Sequence, residues 1–283
     1  MGNIKCVGVI GSGIMGSGLA EVAARSGFDV VVRSRTQAGA DAVLAGIGAG
    51  LSKQVARERI SEADREAILA RISVTDDLHE LGDCDLVIES VVEDMDIKRD
   101  LFTRLDEITR PDAILATNTS TLAVVELAMA TRHPERVCGI HFFNPAPMMK
   151  LVEVITPLTV SDATVEAALA FARDCGKDAV QVQDRAGFIV NALLFPYLNN
   201  AIRMWEQGTA SMDDIDTAMQ GGCNFPMGPF ALLDLVGLDT SLAILDALYA
   251  EFRDPNFAAA PALRRMVSAG HLGRKTKQGF RTY

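Results

Sequence analysis

The chain has little of what several classes of protein require. Positive charge is scarce: 27 Lys and Arg residues stand against 37 Asp and Glu, and the formal net charge is −10. Nucleic-acid binding needs lysine and arginine to neutralise phosphates, so the balance excludes nucleic acid as the main partner. Aromatic residues make up only 6% of the sequence, with a single Trp, which argues against a surface that stacks single-stranded bases.

Cysteines are few, and long apolar runs are missing. None of the cysteines forms a C-x-x-C pair, so neither a disulfide framework nor a zinc or other metal site is indicated. We expect each of them to be a small buried apolar residue in a reducing compartment. No apolar run approaches the roughly 18 residues of a membrane span, and the chain opens into a strand-like run instead of a basic, apolar leader. These features predict a cytoplasmic protein without membrane contact. The cysteines are Cys6, Cys84, Cys138, Cys175 and Cys223.

Short β-rich runs alternate with helix-length stretches over the first two thirds of the 283 residues. Such alternation predicts βαβ units and a Rossmann-type α/β fold with a doubly wound, largely parallel sheet. The predicted strands are Ile4–Ile10, Asp29–Arg33, Cys84–Ser90, Ala113–Thr117, Val137–Phe142, Leu151–Ile155 and Ala179–Val182. The predicted helices between them are Met15–Ser26, Asp41–Ala56, Glu62–Arg71, Ile97–Ile108 and Asp162–Cys175.

The pattern changes after the last of these strands. A polar stretch over 183–186 is followed by a long helical pattern from Gly187 to about Glu206, and then by further helices near 212–220, 228–236, 240–251 and 260–269. We therefore predict an α/β dinucleotide-binding domain over 1–186 and an all-helical domain over 187–283.

A G-x-G-x-x-G sequence follows the first predicted strand and opens the first predicted helix. Its first glycine allows a tight turn, the second lets the backbone approach a pyrophosphate, and the third lets helix and strand pack closely. The amino end of the helix then presents N–H groups and a positive dipole end to the phosphates. The predicted cofactor-binding residues of this turn are Gly11, Ser12, Gly13, Ile14, Met15 and Gly16.

The end of the second predicted strand carries no carboxylate. In NAD-binding domains an acidic residue about 20 positions after the glycine turn accepts a hydrogen bond from the ribose 2′-hydroxyl. Here the stretch reads Val32-Arg33-Ser34-Arg35-Thr36. A carboxylate would repel a 2′-phosphate, whereas Arg and Ser side chains hydrogen-bond to it. We expect Ser34 and Arg35 to bind the cofactor and NADP(H) to be preferred, with NAD(H) the alternative if Arg33 and Arg35 are only solvated.

A candidate catalytic pair lies between two strand-like runs joined by a short connection that contains Pro145 and Pro147. A connection this short cannot return a strand in parallel, so the two runs must form an antiparallel hairpin. If the hairpin is centred on Pro147, His141 and Glu153 face each other, with Cβ atoms roughly 4.5–5.5 Å apart. A carboxylate at that position would select one tautomer of the imidazole and stabilise its protonated form.

Hydroxyl-bearing residues end a neighbouring predicted strand, at the edge where open α/β sheets bind ligands. They include Thr119, Ser120 and Thr121, any of which could instead cap a helix beginning at Leu122. The two roles are compatible. The other histidines, His79, His133 and His271, have no partner nearby in the sequence and are expected to be structural or exposed.

Together these features resemble the L-3-hydroxyacyl-CoA dehydrogenase family, and within it the short bacterial members that act on 3-hydroxybutyryl-CoA. The matching motifs occur in order along essentially the whole chain, and in combination they are specific. They are GSGIMGSG at 11–18, DLVIE at 85–89, NTS at 118–120, HFFNP at 141–145, KLVEVI at 150–155, GFIVN at 187–191, PMGP at 226–229 and GRKT at 273–276.

The resemblance implies an NAD(P)-dependent oxidoreductase that acts on an acyl-CoA, with a helical domain that dimerises. His141 would take the proton of the 3-hydroxyl group while hydride leaves C3, and Glu153 would orient His141. Ser120 and Asn191 would hydrogen-bond to the reacting oxygen and the thioester. Further cofactor contacts are expected from Glu93, Lys98, Asn118, Asn144 and Lys275, with Asn144 also lining the substrate pocket.

Coenzyme A carries phosphates of its own, so an acidic protein needs a local basic patch to hold it. The family's corresponding helical extension contacts CoA, which makes Lys53 and Arg57 candidates, with a solvated helix end the alternative. Two residues depart from the family pattern: Ala186 replaces a common proline, and Ala231 stands where a glutamate is usual. Neither change touches the proposed His–Glu pair.

Two other functions are compatible with parts of this pattern. One is a related dehydrogenase acting on a non-CoA hydroxy acid or a sugar acid, which activity on acetoacetyl-CoA but not on free acetoacetate would exclude. The other is a non-catalytic nucleotide-binding protein, which should have lost its catalytic residues. His141, Glu153, Ser120 and Asn191 are all present.

Overall fold

The computed structural model describes residues 4–283, which divide into two compact units. The first unit ends at Asp184 and the second spans Arg185–Tyr283. The boundary predicted from the sequence, after residue 186, lies slightly further along the chain.

The first unit is built on one eight-stranded sheet with the order β3-β2-β1-β4-β5-β6-β7-β8. Every neighbouring pair is parallel except β6 and β7, which are antiparallel. This arrangement confirms the predicted Rossmann-type sheet. The strands are β1 (Cys6–Ile10), β2 (Asp29–Arg33), β3 (Ile72–Thr75), β4 (Leu86–Glu89), β5 (Ile114–Thr117), β6 (Val137–Phe142), β7 (Leu151–Thr156) and β8 (Asp178–Gln183).

Six helices flank or connect these strands. Four of them begin at side-chain caps. At α2 the Thr36 hydroxyl accepts a hydrogen bond from the helix backbone, and at α3 Ser61 and Asp64 form a capping box. The apolar runs of β1 and β4 are covered on both faces, as the continuous hydrophobic pattern predicts. The helices are α1 (Ile14–Arg25), α2 (Gln37–Val55), α3 (Glu62–Ala70), α4 (Met95–Ile108), α5 (Val124–Ala128) and α6 (Asp162–Asp174).

The strand order reverses direction at the centre of the sheet. β2 and β3 lie on one side of β1, whereas β4, β5 and β6 follow one another on the other side. Ligands of open α/β sheets bind at the carboxyl ends of the strands where this reversal occurs. The segments that follow β1, β4, β5 and β6 all lie at that edge, and the predicted site residues of this unit are concentrated in them.

Two local predictions were wrong. Strand β3 was not predicted, because it has only four residues at the sheet edge and its Ser73 is exposed, so its apolar pattern is weak. Helix α5 begins at Val124, not at Leu122, and no hydroxyl caps it, although the Thr119 hydroxyl accepts a hydrogen bond from the Leu122 N–H at 3.0 Å. Its first N–H groups, those of Val124 and Val125, instead donate to the Asp184 carboxylate at 3.0 and 2.7 Å.

The cysteines agree only in part with the expectation that all are buried. Cys84, Cys138 and Cys175 are buried, but Cys223 is exposed and Cys6 is half-buried. Burial raises the pKa of the Cys138 thiol to about 12, which keeps it protonated and unreactive. Cys223 ends a helix in which only Ile215 and Asp216 are buried, so this end of the helix faces solvent.

Among its described residues, the second unit contains helices, short turns and two isolated β-bridges near its carboxy end, Gly273 with Gln278 and Gln278 with Thr282. Its first helix begins three residues later than Gly187, because Gly187 and Phe188 have φ angles of 74° and 50° in the left-handed region. The carboxylate of Asp234 accepts hydrogen bonds from the backbone of Phe280 and Arg281 at 2.8 and 2.9 Å, which ties the carboxy-terminal segment to the core. The helices are α7 (Val190–Glu206), α8 (Met212–Cys223), α9 (Pro229–Val236), α10 (Leu238–Phe252) and α11 (Pro261–Ser268).

None of the helices within residues 4–283 combines the length and the apolar character needed to cross a membrane.

Candidate active site

The glycine turn between β1 and α1 has the shape that a dinucleotide requires. A Cβ on Gly11 would lie 2.3 Å from the Ser90 carbonyl oxygen, and one on Gly16 would lie 2.0 Å from the Gly11 carbonyl oxygen, so both positions exclude side chains. A Cβ on Gly13 would meet nothing within 4 Å, and no side chain caps the helix there. The amino end of α1 is therefore open to a pyrophosphate, which fits a nicotinamide dinucleotide. Ser12 and Ile14 are exposed around it, and Met15 is half-buried.

The end of β2 presents cations to the same edge of the sheet. Arg33 is half-buried and its Nε donates to the Asp76 carbonyl oxygen at 3.2 Å, while Arg35 is exposed. Burial lowers the pKa of the Arg33 guanidinium, and the neighbouring charges of Arg104 and Arg35 lower it further. Ser34 is only 5% exposed. The position that is acidic in typical NAD-binding domains is thus a small hydroxyl between two arginines.

The predicted hairpin and its register are confirmed. Strands β6 and β7 pair antiparallel, with His141 directly opposite Glu153. The ring Nδ1 of His141 lies 2.8 Å from Oε2 of Glu153, and the two residues are 4% and 0% exposed. An ionised carboxylate only accepts hydrogen bonds, so this contact places a proton on Nδ1. In the neutral ring, Nε2 then carries the basic lone pair.

Ser120 lies at the other ring nitrogen of His141. Its Oγ is 3.0 Å from Nε2, and it reaches that position from the turn that follows β5. With the proton of the imidazole on Nδ1, the Ser120 hydroxyl donates to Nε2. The Phe143 ring covers one side of the imidazole, with the ring centres 4.5 Å apart. A hydroxyl, an imidazole and a carboxylate are therefore connected in a row, which is an arrangement suited to moving one proton at Nε2.

The two predicted asparagines of this unit have different surroundings. Asn118 joins two strand ends: its Oδ1 accepts a hydrogen bond from the Phe142 backbone at 2.8 Å, and its own N–H donates to the Glu89 carbonyl at 2.8 Å. Asn144 is exposed on the connection between β6 and β7, where its peptide bond to Pro145 is cis. Asn118 therefore shapes the edge of the site, whereas the Asn144 side chain is accessible to a ligand.

Glu93 and Lys98 lie next to the turn after β5 that carries Ser120. Lys98 is 1% exposed and its Nζ lies 3.2 Å from Oε2 of Glu93. Oε1 of Glu93 accepts hydrogen bonds from the Thr119 hydroxyl and from the Ser120 backbone, the latter at 3.0 Å. Burial alone would raise the pKa of Glu93, but the charge of Lys98 and these hydrogen bonds outweigh it and hold the pKa below its ordinary value. Glu93 is therefore ionised and supports the turn that carries Ser120.

One residue of this cluster was missed by sequence reasoning. Glu89 is fully buried at the end of β4, and its carboxylate lies 2.6 Å from Nζ of Lys98. The sequence does contain an indication of it, because Glu89 is a carboxylate at the end of an otherwise apolar strand. Burying a carboxylate without a partner costs much free energy, so a buried partner could have been expected.

The remaining predicted residues are not brought together with His141 by any described contact. Asn191 and Lys275 belong to the second unit, where Asn191 is buried in α7 and Nζ of Lys275 lies 2.6 Å from both carboxylate oxygens of Asp239. Lys53 and Arg57 are exposed at and just beyond the end of α2. Their roles stay predictions.

His133 has a partner that the sequence did not reveal. Its Nδ1 lies 3.2 Å from Oδ1 of Asp106, which also binds Arg136 at 2.8 Å. This cluster joins α4 to the start of β6. Within residues 4–283, no group of three or more His, Cys, Asp or Glu side chains is arranged to hold a metal ion.

Comparison with known proteins identifies the family of this chain. Residues 6–185 match the model of the 3-hydroxyacyl-CoA dehydrogenase NAD-binding domain, and residues 187–283 match that of the 3-hydroxyacyl-CoA dehydrogenase C-terminal domain. The chain is 47% identical over 275 residues to a 3-hydroxybutyryl-CoA dehydrogenase of Clostridioides difficile, covering 97% of this chain and 98% of that protein. It is 44% identical over 289 residues to the mitochondrial hydroxyacyl-coenzyme A dehydrogenase of Sus scrofa, covering 99% and 91%.

The likeness extends to three dimensions. The crystal structure of (S)-3-hydroxybutyryl-CoA dehydrogenase from Ralstonia eutropha superimposes with a TM-score of 0.97 at 40% sequence identity, and the match covers 99% of each chain. The family models match both halves of the sequence, the relatives match over nearly their whole length, and the fold matches as well. The chain belongs to the 3-hydroxyacyl-CoA dehydrogenase family.

Proposed function

We propose that this protein interconverts (S)-3-hydroxybutyryl-CoA and acetoacetyl-CoA, together with other short-chain 3-hydroxyacyl and 3-oxoacyl thioesters, by hydride transfer with a nicotinamide cofactor. The observation that carries the proposal is the row formed by Ser120, His141 and Glu153, with contacts of 3.0 and 2.8 Å. It lies at the sheet edge where the open glycine turn would hold a dinucleotide.

The proton in this reaction is handled at Nε2 of His141. In the oxidation direction, Nε2 takes the proton of the substrate 3-hydroxyl group, and in reduction it returns a proton to the developing alkoxide. Hydride transfer to or from C3 is the chemistry that a nicotinamide would supply when bound at the glycine turn. Because Nδ1 donates to Glu153, the ring that becomes positively charged during oxidation has a carboxylate beside it. Glu153 thus orients the imidazole and stabilises its charged form.

Ser120 is proposed to bind the reacting oxygen of the substrate as well as to contact His141. Its hydroxyl reaches Nε2 in the structure, so it lies where a substrate oxygen must come to exchange a proton with His141. A hydroxyl can accept one hydrogen bond and donate another, and it can therefore bind the reacting oxygen in either oxidation state. Asn191 is the other proposed hydrogen-bond partner for the oxygen and the thioester, and Asn144 is proposed to line the same pocket.

We further propose NADP(H) as the preferred cofactor. Support comes from the absence of a carboxylate at Ser34 and from the arginines beside it, since a 2′-phosphate needs donors and positive charge. Steady-state kcat/KM for NADPH and NADH, measured side by side, tests this proposal, and a clear preference for NADH would overturn it. The proposed contacts to the rest of the cofactor come from Glu93, Lys98, Asn118, Asn144 and Lys275.

The phosphates of CoA would be held by Lys53 and Arg57, which are exposed at the end of α2. A homodimer in the cytoplasm completes the proposal, on the strength of the family resemblance. Sedimentation velocity of the purified protein tests the dimer, which a monomer at micromolar concentration would refute.

The central experiment is the reduction of acetoacetyl-CoA, followed by the loss of NADPH or NADH absorbance. Free acetoacetate serves as the matched control, because it presents the same reacting carbonyl without the CoA portion. Turnover of the thioester alone supports the proposal. Turnover of free hydroxy or oxo acids in preference to the thioester would instead favour a dehydrogenase of non-CoA hydroxy acids or sugar acids.

A further inference from the structure

Glu89 has more hydrogen-bond partners than a residue that only closes a strand would need. It is fully buried at the carboxyl end of β4. Its Oε1 accepts from Nζ of Lys98 at 2.6 Å and from the Val91 backbone at 2.6 Å, and its Oε2 accepts from Lys98 at 2.8 Å and from the Thr117 hydroxyl at 2.8 Å. A buried carboxylate with this many donors is held in one orientation.

Two routes lead from Glu89 to the turn that carries Ser120. The first runs through Lys98 to Glu93, whose Oε1 accepts the backbone N–H of Ser120 at 3.0 Å. The second runs through Thr117, whose Oγ1 accepts the backbone N–H of Thr119 at 3.2 Å. Both routes end within one residue of Ser120.

The two acidic partners of Lys98 are unequal. Glu89 is fully buried and makes contacts of 2.6 and 2.8 Å, whereas Glu93 has a side chain 39% exposed and a contact of 3.2 Å. Interactions between charges are stronger where water is excluded, so Glu89 is the partner that fixes the ammonium group. Without Glu89, Lys98 would be a buried cation whose remaining partner lies at the solvent edge.

We propose that Glu89 is a positioning residue for catalysis: it holds Lys98 and Thr117, and through them the 119–121 turn, so that the Ser120 hydroxyl meets Nε2 of His141. Glu89 acts on the reaction only through these neighbours and touches neither substrate nor cofactor. The kinetic part of the proposal rests on the proposed function, whereas the structural part concerns the Ser120–His141 contact alone.

The test compares Glu89→Gln with a matched control, Asp106→Asn. Asp106 is also a buried acid in the same unit, but it pairs with Arg136, and none of its hydrogen bonds reaches the 119–121 turn. We expect Glu89→Gln to lower kcat about tenfold while changing KM for acetoacetyl-CoA less than twofold, because orientation and not ground-state binding is lost. Asp106→Asn should lower the melting temperature at least as much and leave kcat within about twofold of the wild-type value.

A second readout does not depend on turnover. The sequence contains only four histidines, so the imidazole nitrogens can be resolved by NMR and His141 assigned with a His141→Ala variant. We expect Glu89→Gln to shift the Nε2 signal of His141, and Asp106→Asn to leave it in place. If the wild-type protein fails to reduce acetoacetyl-CoA, the proposed function falls, and these spectra still decide the positioning role.

If Glu89→Gln does not fold, Thr117→Val serves instead, because it removes the route through Thr117 without leaving an unpaired charge in the core. We expect it to lower kcat and shift the His141 Nε2 signal, both by less than Glu89→Gln. An unchanged kcat and an unmoved His141 signal in the folded variant would overturn the proposal. An equal loss of kcat in Asp106→Asn would also overturn it, because the effect would then be general destabilisation.

Discussion

His141 and Glu153 occupy directly opposed positions of the β6–β7 pair, and Nδ1 of the imidazole lies 2.8 Å from Oε2 of the carboxylate. Because the pairing register places them together, no flexible loop is needed to align the imidazole with the carboxylate. Both residues are buried, so water does not compete for the contact. The remaining nitrogen, Nε2, faces Ser120, at the sheet edge where the glycine turn also lies.

Removal of the imidazole should abolish most of the activity. We expect His141→Ala to lower kcat about 10²- to 10⁴-fold, since positioned acid–base catalysis contributes that much. Steady-state reduction of acetoacetyl-CoA measures it. His79→Ala is the control. His79 is exposed and lies far along the chain from His141, so this variant should keep normal turnover. Near-normal turnover of His141→Ala would refute the assigned role.

Replacement of Glu153 by glutamine should separate orientation from substrate binding. The amide has the size of the carboxylate, but its NH₂ group can donate to Nδ1 and so favour the tautomer with a proton on Nε2. That ring cannot accept the substrate proton. We expect kcat to fall at least about tenfold with a smaller change in KM. A Glu153→Gln enzyme with kcat within twofold of wild type would show that the carboxylate is only structural.

The glycine turn allows a distinction between folding and cofactor binding. A Cβ on Gly13 meets no protein atom within 4 Å, and its backbone angles of −78° and −177° suit alanine. Gly13→Ala should therefore keep the wild-type melting temperature while raising KM for the cofactor by about tenfold or more, because the methyl group lies where the pyrophosphate approaches.

Gly16→Ala is the contrasting case. Its Cβ would lie 2.0 Å from the Gly11 carbonyl oxygen, which is backbone and cannot move aside alone. We expect this variant to lose stability by several kcal/mol, seen as a lower melting temperature or as insoluble protein. Equal melting temperatures for the two variants would contradict the assigned packing of α1 on β1.

The basis of cofactor choice can be tested at one position. Ser34→Asp restores the carboxylate that accepts a ribose 2′-hydroxyl and repels a 2′-phosphate. We expect the ratio of kcat/KM for NADPH to that for NADH to fall at least about tenfold, mainly through KM for NADPH. Ser73→Asp is a suitable control, since Ser73 is exposed at the sheet edge and its carboxylate would change net charge equally. A ratio that changes equally in both variants would indicate a general effect of charge.

The cluster around Asp106 predicts how stability depends on pH. Burial alone would raise the pKa of this carboxyl, but hydrogen bonds from Arg136, Arg132 and His133 hold it well below the ordinary value. A depressed folded-state pKa stabilises the fold above the unfolded value of about 3.9, and this stability is lost as the pH falls through the folded value. Urea unfolding at pH 7, 5 and 3.5 should therefore show a falling free energy of unfolding below about pH 4.

Asp106→Asn checks the assignment of that acid sensitivity. At pH 7 the variant should lose about 3–5 kcal/mol, because it leaves the buried Arg136 without its counter-charge. Between pH 5 and 3.5 its free energy of unfolding should change less steeply than that of the wild type. Asp41→Asn, at an exposed position on α2, is the control and should keep the wild-type slope. A wild-type slope in Asp106→Asn would assign the acid sensitivity to other carboxylates.

Much of the candidate site could be predicted because its parts are local. The glycine turn is contiguous in the chain, and the pairing of His141 with Glu153 follows from one short connection and the period of two of a β-strand. The same reasoning placed Ser120 at a strand end but could not show that it reaches His141. Those two residues come from different strands, and only the order of the sheet makes them neighbours.

By itself, then, the sequence determined the fold class and the pairing of His141 with Glu153, because hydrophobic period, turn chemistry and hairpin register act over short distances along the chain. The tertiary structure decided what depends on distant segments. Glu89 acquires Lys98 and Thr117 only where α4 and β5 pack beside β4, and His133 acquires Asp106 only where α4 meets the start of β6. Burial made these partnerships obligatory, since an ionised side chain without water must find its counter-charge wherever the fold places it.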